Sequence, residues 1–483
     1  MSDVRTRFAP SPTGYMHIGN LRTGLYAYLL AKKNNGKFIL RIEDTDQERL
    51  VEGAVDVIYN VLKLTGLKHD EGPDIGGDYG PYVQSQRKSI YKEYAEKLVD
   101  LGGAYYCFCS KEQIAEARGK HGLTKEGAFK YDDPCRYVSI DEARKRIENG
   151  EAYVVRQRIP KTGATAFEDA VFGSITVDNN TLDENVLLKS DGLPTYNFAN
   201  VVDDHLMNIS HVMRGVEYLS STPKYNLLYN AFGWEIPTYI HLPHIIKEGG
   251  KKLSKREGDA SFEDFYKKGY LIEAIINYIA LLGWNPGTDQ EIFSLKELEE
   301  QFGIDGLSKS SAMFDVKKLN WMNSEYIKKM DIADFHKMAL PYYEKVITNK
   351  NIDLLKISAL MHTRTDVFNN IPENIDFFDS LPDYDINMYV HKKMKTDLEN
   401  SLEYLKASYD ALKDLSDWTE EGIDNALKAL IEKLGVKNGQ VLWPVRTAIS
   451  GKQMTPGGAI EIADILGKEE TLKRMQMGIK KLS

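Results

Sequence analysis

Apolar positions set the rhythm of this chain before any single residue does. From Val4 to about Tyr105, short strand-like runs (VRTRF, KFILRIED) alternate with stretches (LRTGLYAYLLAKK, AVDVIYNVLKLTGL, KSIYKEYAEKLVDLG) whose apolar residues recur every three or four positions. Leu21, Leu25, Tyr28 and Leu29 carry that spacing in the first such stretch. The alternation predicts an α/β fold, a parallel sheet with helices on its faces. From Tyr106 to about Leu188 the pattern breaks into short strand-like pieces (AYVVRQRI, VFGSITV) around a Gly- and Lys-rich stretch, RGKHGLTKEGAFK, as an inserted α+β subdomain would. It resumes at Lys189, where STPKYNLLYNAFGW predicts a helix capped by Ser or Thr ahead of Pro223. Further on, FEDFYKKGYLIEAIINYIALLGW predicts a helix apolar around much of its surface, ended by Gly283 and Pro286, and from about Glu325 the chain reads as almost wholly helical. The expected parts are 1–105 and 189–246 as two halves of one domain, 106–188 inserted between them, 247–324 as a connecting helical domain, and 325–483 as a helical tail.

A chain of 483 residues is long for one core and suggests three or four domains. No apolar run reaches the roughly 20 residues that cross a bilayer, and no signal-like core follows the N-terminus, so a cytoplasmic location without membrane contact is expected. The formal net charge of −9 excludes a surface coated in lysine. Local basic clusters, Lys251, Lys252, Lys255 and Arg256, or Lys392, Lys393 and Lys395, would still supply a phosphate-binding stripe. The three cysteines, Cys107, Cys109 and Cys135, are odd in number and clustered, which suits reduced thiols or metal ligands better than disulfides.

Two short strings carry the candidate chemistry. PSPTGYMHIGN, Pro10 to Asn20, places His17 and Gly19 where a strand hands over to a helix, a position suited to holding a nucleotide phosphate. More than two hundred residues later, KLSKR, Lys252 to Arg256, offers two lysines on a loop able to close over it. Each alone reads equally as a surface turn or a solvated loop; their order and context point to ATP activation.

HIGN and KLSKR resemble the two marker motifs of the class I aminoacyl-tRNA synthetases. RFAPSPTGYMHIGNLRTGLYAYLLA, FILRIEDTDQERL, GLPTYNFANVVDDHLMNISHVMRGVEYLSSTPKYNLL and WPVRTAISGKQMTPGGAIEI narrow the resemblance to the bacterial-type glutamyl enzymes over essentially the whole chain. The helical tail agrees, since related glutaminyl, archaeal and eukaryotic enzymes carry β-barrels there. The resemblance implies a Rossmann-like catalytic domain, an insertion facing the acceptor end of tRNA, and an all-helical anticodon-binding region. It implies a monomer that joins L-glutamate to tRNA(Glu) in two steps, through glutamyl adenylate, with ATP and Mg²⁺.

The same resemblance assigns roles. His17, Gly19 and Asn20 would meet the ATP phosphates or ribose, Asn20 standing where the general motif has a second histidine. Lys252 and Lys255 would stabilise departing pyrophosphate, with Lys255 the stronger choice, and Glu217 would join the ATP contacts. Arg7 and Arg214 would grip the substrate carboxylates, Glu43 would face its ammonium, and Ser11, Tyr196 and Asn200 would form the neutral polar wall. Arg7 with Glu43 as an ordinary ion pair, and Tyr196 as a core tyrosine, are the plain alternatives. Cys107, Cys109 and Cys135 would hold Zn²⁺ if His121, Tyr131 or Tyr137 completes the set, Tyr137 standing where the family has histidine; three buried thiols without metal is the other reading. Arg364 and Arg446 would read the anticodon or simply brace helices. Two rivals remain open, an enzyme that also glutamylates tRNA(Gln) and a noncatalytic tRNA-binding paralogue.

Overall fold

The computed structural model of the protein describes residues 4–110, 112–114, 116, 134–253 and 260–483. Internal contacts divide the chain into two units, residues 1–266 with 272–316, and residues 267–271 with 317–483.

In the first unit β1 (Arg5–Phe8) leads through the HIGN turn into α1 (Ile18–Lys33), and β2 (Lys37–Leu40) pairs parallel with β1. The helical spacing is realised as α2 (Ala54–Thr65) and α3 (Lys88–Asp100). Next come β3 (Ala104–Cys107), α4 (Ile140–Glu148), β4 (Val154–Gln157), β5 (Ala164–Asp169), β6 (Gly173–Asp178) and β7 (Val186–Leu188). They are followed by α5 (Tyr196–Leu206), β8 (His211–Gly215), α6 (Thr222–Phe232) and β9 (Thr238–Leu242).

β8 and β9 pair in parallel, β5 joins β9 in parallel at Asp169 and Tyr239, and β6 closes the edge antiparallel. β1 meets β8 through Ser210, which takes the Arg5 N–H on its hydroxyl at 2.8 Å and donates its own N–H to the Arg5 carbonyl at 3.0 Å. β3, β4 and β7 form a separate antiparallel sheet. Segment 106–188 therefore supplies strands both to its own sheet and, through the β5–β6 hairpin, to the central one.

α1 differs from the one-faced helix that its spacing suggests. Leu21, Leu25, Tyr28 and Leu29 are buried, and so are Arg22, Gly24, Tyr26, Ala27, Leu30 and Ala31. The helix is covered on nearly all sides because β1 and β2 lie on one flank and two later helices on another. Those later elements replace the single predicted helix after KLSKR: α7 (Phe262–Lys267) and α8 (Ile272–Ala280) are separated at Gly269, whose φ of +83° is left-handed, and α9 (Leu295–Gln301) opens on a Ser294–Glu297 capping box. α6 also departs from expectation, since a 3₁₀ turn over Val216–Ser221 runs into it and no side chain caps it.

The second unit is built of helices, as the pattern from Glu325 predicts: α10 (Val316–Lys329), α11 (Ile332–Tyr343), α12 (Leu354–Met361), α13 (Ile371–Asp379), α14 (Leu398–Lys413), α15 (Glu420–Leu434), α16 (Asn438–Ser450), α17 (Ala459–Leu466) and α18 (Lys468–Leu482). Arg474, 1% exposed, sits in its core and donates to the carbonyls of Phe377 at 2.6 Å and Ile449 at 2.8 Å. Those carbonyls belong to the ends of α13 and α16, so one buried cation satisfies two helix termini. Among the described residues no helix is long and apolar enough to cross a membrane.

Candidate active site

A cleft of about 290 Å³ lies past the carboxyl ends of β1, β8 and β9, where the first turn of α1 begins. Arg7, Ser11, His17, Gly19, Asn20, Glu43, Tyr196, Arg214, Glu217 and Lys252 all line it. Residues spread over two hundred positions thus share one cavity in the place where parallel sheets bind ligands. Asn200 does not line it; one helical turn along α5 from Tyr196, it is 2% exposed and donates its amide to the Tyr196 carbonyl at 2.6 Å. Lys255 lies outside the described residues.

His17 is the N-cap of α1, and its Nδ1 accepts the Gly19 N–H at 3.0 Å. That bond leaves Nε2 as the protonated nitrogen of the neutral ring, a donor at the mouth of a helix N-terminus. Gly19 suits the arrangement, since a Cβ there would crowd His17 Nδ1 at 3.2 Å. The chain on either side of the KLSKR serine returns to the same place. Leu253 donates to the Ile245 carbonyl at 3.0 Å, and beyond the loop Ala260 accepts from Ile18 N–H and Phe262 donates to Met16, both at 2.9 Å. Lys247–Lys251 forms a tight turn in which Gly249 and Gly250 take φ of +87° and +79°, conformations a side chain would strain.

Beneath the cleft floor runs a chain of buried charges. Arg7 pairs with Asp204 at 3.0 Å; Arg41 pairs with Asp204 at 2.8 Å, Glu43 at 3.0 Å and Asp203 at 3.7 Å; Arg87 pairs with Asp203 at 2.7 Å. Arg7 and Glu43 are therefore not each other's partners. Burial lifts the Glu43 carboxyl above its ordinary range against the pull of Arg41 and Arg7. Burial would do the same to Asp204, but Arg7 and Arg41 outweigh it and hold that carboxyl low.

Arg214 is 4% exposed, with the Tyr225 ring centroid 4.5 Å from its guanidinium carbon. Its Nε donates to His241 Nε2 and its Nη2 to Thr222 Oγ1, both at 3.0 Å, and Nη1 has no hydrogen-bond partner among the described residues. Tyr196 lies against Tyr218 with ring centroids 5.0 Å apart. Arg41, Asp203, Asp204 and His241 were not singled out in the sequence. VVDDHL carried the one available signal, two adjacent acids inside an apolar run, which a solvated helix face imitates. Arg22 was missed as well; it lines the cleft and donates to the Leu282 carbonyl at 3.0 Å and to that of Pro243.

The cysteines converge. The sulfurs of Cys107, Cys109 and Cys135 lie within 4.8 Å of one another, Cys109 and Cys135 at 3.6 Å, and the Phe108 N–H points at Cys135 Sγ from 3.4 Å. Thiolates on a tetrahedral zinc with bonds of about 2.3 Å stand roughly 3.8 Å apart, so the donor set fits three corners. Tyr137 is 76% exposed on the turn that carries Cys135, while His121 and Tyr131 lie outside the described residues.

In the second unit Arg364 donates to the Leu360 carbonyl at 2.8 Å and lies 3.5 Å from Glu461. Arg446 donates to Thr455 Oγ1 at 3.1 Å and to the Gln453 carbonyl at 2.9 Å, with its guanidinium 4.2 Å from the Trp443 ring centre. Both brace the unit, and Arg446 does so as a cation over the Trp443 ring.

Residues 3–321 match the family described as tRNA synthetases class I (E and Q), catalytic domain, and residues 334–479 match an anticodon binding domain. A glutamate–tRNA ligase of Clostridium tetani is 62% identical over 479 residues, covering 99% of this chain and 98% of the relative. One from Clostridium kluyveri is 60% identical over 482 residues, covering 100% and 99%. Among solved structures, a glutamate tRNA ligase from Elizabethkingia meningosepticum in complex with its amino acid superposes with a TM-score of 0.86 at 34% identity, covering 100% of both chains.

Proposed function

This chain belongs to the class I tRNA synthetases of the glutamate and glutamine type, and from that membership we propose that its cleft carries the ATP-dependent ligation of L-glutamate to tRNA(Glu). The observation that carries the reading is the gathering in one cavity of two arginines, an acid and a tyrosine with His17, Gly19, Asn20 and Lys252. A dicarboxylate amino acid needs two cations and one acid. Arg7 and Arg214 each take a carboxylate, Glu43 faces the ammonium, and Ser11 and Tyr196 close the wall. Asn200 acts from behind, through the Tyr196 turn.

In the first step a glutamate carboxylate oxygen attacks the α-phosphorus of ATP, the bond to the β-phosphate oxygen breaks, and pyrophosphate leaves. His17 Nε2–H and the positive end of the α1 dipole stabilise the phosphoryl oxygens, and Asn20 and Glu217 contact the nucleotide. Lys252 and Lys255 neutralise the departing charge, to which a Mg²⁺ ion brought by ATP would add positive charge at the phosphates. In the second step the terminal adenosine's 2′-hydroxyl attacks the glutamyl carbonyl and AMP leaves. Arg364 and Arg446 contribute to anticodon reading, segment 106–188 contacts the acceptor end, and the protein works as a monomer. Segments 1–105 and 189–246 carry the catalytic roles, 106–188 the acceptor contact, 247–324 the KLSKR loop and stem contact, and 325–483 the anticodon.

The test is ATP–pyrophosphate exchange with glutamate or glutamine, each with and without tRNA. Glutamate-driven exchange that needs tRNA is expected; exchange driven by glutamine, or tRNA binding with no exchange at all, refutes the proposal.

Zinc is proposed as a structural ion held by Cys107, Cys109 and Cys135, with Tyr137 or Tyr131 as fourth ligand. Purified protein should contain about one zinc per chain, and Cys109→Ser should lose it and lower the thermal midpoint. Metal-free protein whose midpoint is indifferent to chelator would refute this.

A further inference from the structure

Arg214 is held from behind by two residues that line neither its strand nor the known motifs. Three adjacent strands, β5, β9 and β8, place Asp169, His241 and Arg214 in a row across the sheet; Arg214 and His241 are directly opposite each other in the β8–β9 register. His241 Nδ1 lies 2.6 Å from Asp169 Oδ2, and both side chains are 0% exposed. The same carboxylate oxygen accepts the His241 backbone N–H at 3.1 Å, and Oδ1 accepts the Val171 and Phe172 N–H groups, each at 2.9 Å. Four donors converge on Asp169, so an ionised carboxylate fits there and a carboxamide does not.

The polarity of the row follows. Asp169 accepts and therefore keeps the proton of His241 on Nδ1, so Nε2 carries a lone pair, and the Arg214 Nε–H donates to it at 3.0 Å. Thr222 Oγ1 also lies 3.3 Å from His241 Nε2; with its proton donated to the Tyr218 carbonyl at 3.0 Å, its lone pairs accept from Arg214 Nη2 at 3.0 Å. Both edges of the guanidinium are fixed by acceptors on strands or helix ends, and Nη1 remains for a ligand in the cleft.

We infer that Asp169 and His241 are positioning residues for substrate recognition, a tautomer-locked relay that holds Arg214 in register to grip a glutamate carboxylate. The inference rests on the proposed role of Arg214 in the cleft. A merely structural Asp–His pair would fix the Nδ1 proton equally well but would not need a lone pair on Nε2. The relay does, because a proton on Nε2 would face the Arg214 Nε–H donor to donor.

The substitutions that separate these cases keep one half of the imidazole each. Gln at 241 reaches the Nε2 position with an acceptor; Asn reaches only the Nδ1 position. In glutamate-dependent ATP–pyrophosphate exchange with tRNA present, His241→Asn should raise the glutamate KM about tenfold or more with the ATP KM unchanged, and His241→Gln should stay within about threefold of wild type. Equal damage in the two variants, or equal rises in both KM values, overturns the relay. Arg214→Ala is the control. If it leaves the glutamate KM unmoved, the role of Arg214 fails and the relay with it; if it raises that KM while His241→Asn does not, the relay alone fails. A readout on the wild-type protein needs no variant to fold: ¹⁵N-imidazole spectra should show His241 protonated on Nδ1 at neutral pH, and a proton on Nε2 overturns the assignment.

Discussion

Asp204 is the residue whose removal the cleft tolerates least. It is 2% exposed and serves both Arg7 and Arg41, themselves 4% and 0% exposed. Asp204→Ala would leave the buried Arg7 guanidinium without its carboxylate and take one of three from Arg41, and breaking a buried pair from one side costs about 3–5 kcal/mol. A lower urea midpoint with loss of glutamate-dependent exchange is expected; a variant that unfolds at the wild-type midpoint contradicts the network. Arg7, Glu43 and Tyr196 were legible in the sequence because they sit in strings that order themselves along the chain. Asp203, Asp204, Arg41 and His241 were not, because nothing about an acid in VVDDHL or a histidine in TYIHLPH says which way it faces. Asn200 is a like case: the spacing puts it one turn from Tyr196, and only the packing of α5 leaves it outside the cleft lining.

At the level of elements, the site depends on how closely α1 approaches β1. Gly24 makes the approach possible, since a Cβ there would lie 3.0 Å from Phe8 Cδ2, and Phe8 is 4% exposed with no room to yield. Replacing a helical glycine recovers less than about 1 kcal/mol of propensity. Overpacking against a buried ring costs about 1–3 kcal/mol, so it decides the sign. Gly24→Val should therefore lower the thermal midpoint, and because α1 carries His17 at its first turn, exchange activity should fall more than stability alone explains. Unchanged activity in a stably folded Gly24→Val protein would show that the turn is held independently of the helix. The sequence pattern located α1, α2, α3 and the helical tail well, since each has a periodic apolar run. It did not show that α1 is buried on nearly every side, that Gly269 splits the helix after KLSKR, or that β5 leaves its own segment to pair with β9. Those features come from partners distant in sequence, which no local periodicity encodes.

At the scale of the first unit as a whole, acid should weaken the fold in a defined order. His205, stacked on Trp234 with ring centroids 3.7 Å apart, His211 and His241 all have their pKa values pushed below the ordinary histidine range, chiefly by burial. The unfolded chain takes up these protons near pH 6.5 while the folded chain refuses them, so their contribution is present above that pH and is lost as pH falls toward the lower folded values. Asp169 and Asp204 follow later. Burial would raise both carboxyls, yet hydrogen bonds from His241 and the Phe172 and Val171 N–H groups at Asp169, and Arg7 and Arg41 at Asp204, hold them low. Their contribution persists down to about pH 4 and is lost below it. Glu43 runs the other way, since its raised pKa lets the folded state bind a proton first and offsets part of the loss. The urea midpoint should thus decline from pH 7 toward pH 5.5, before any aspartate titrates. His205→Phe removes one of the three shares of the first phase, because phenylalanine keeps a ring against Trp234 and cannot take a proton. Its midpoint should fall less steeply over that interval than the wild type's, and parallel slopes for the two proteins would remove His205 from the account.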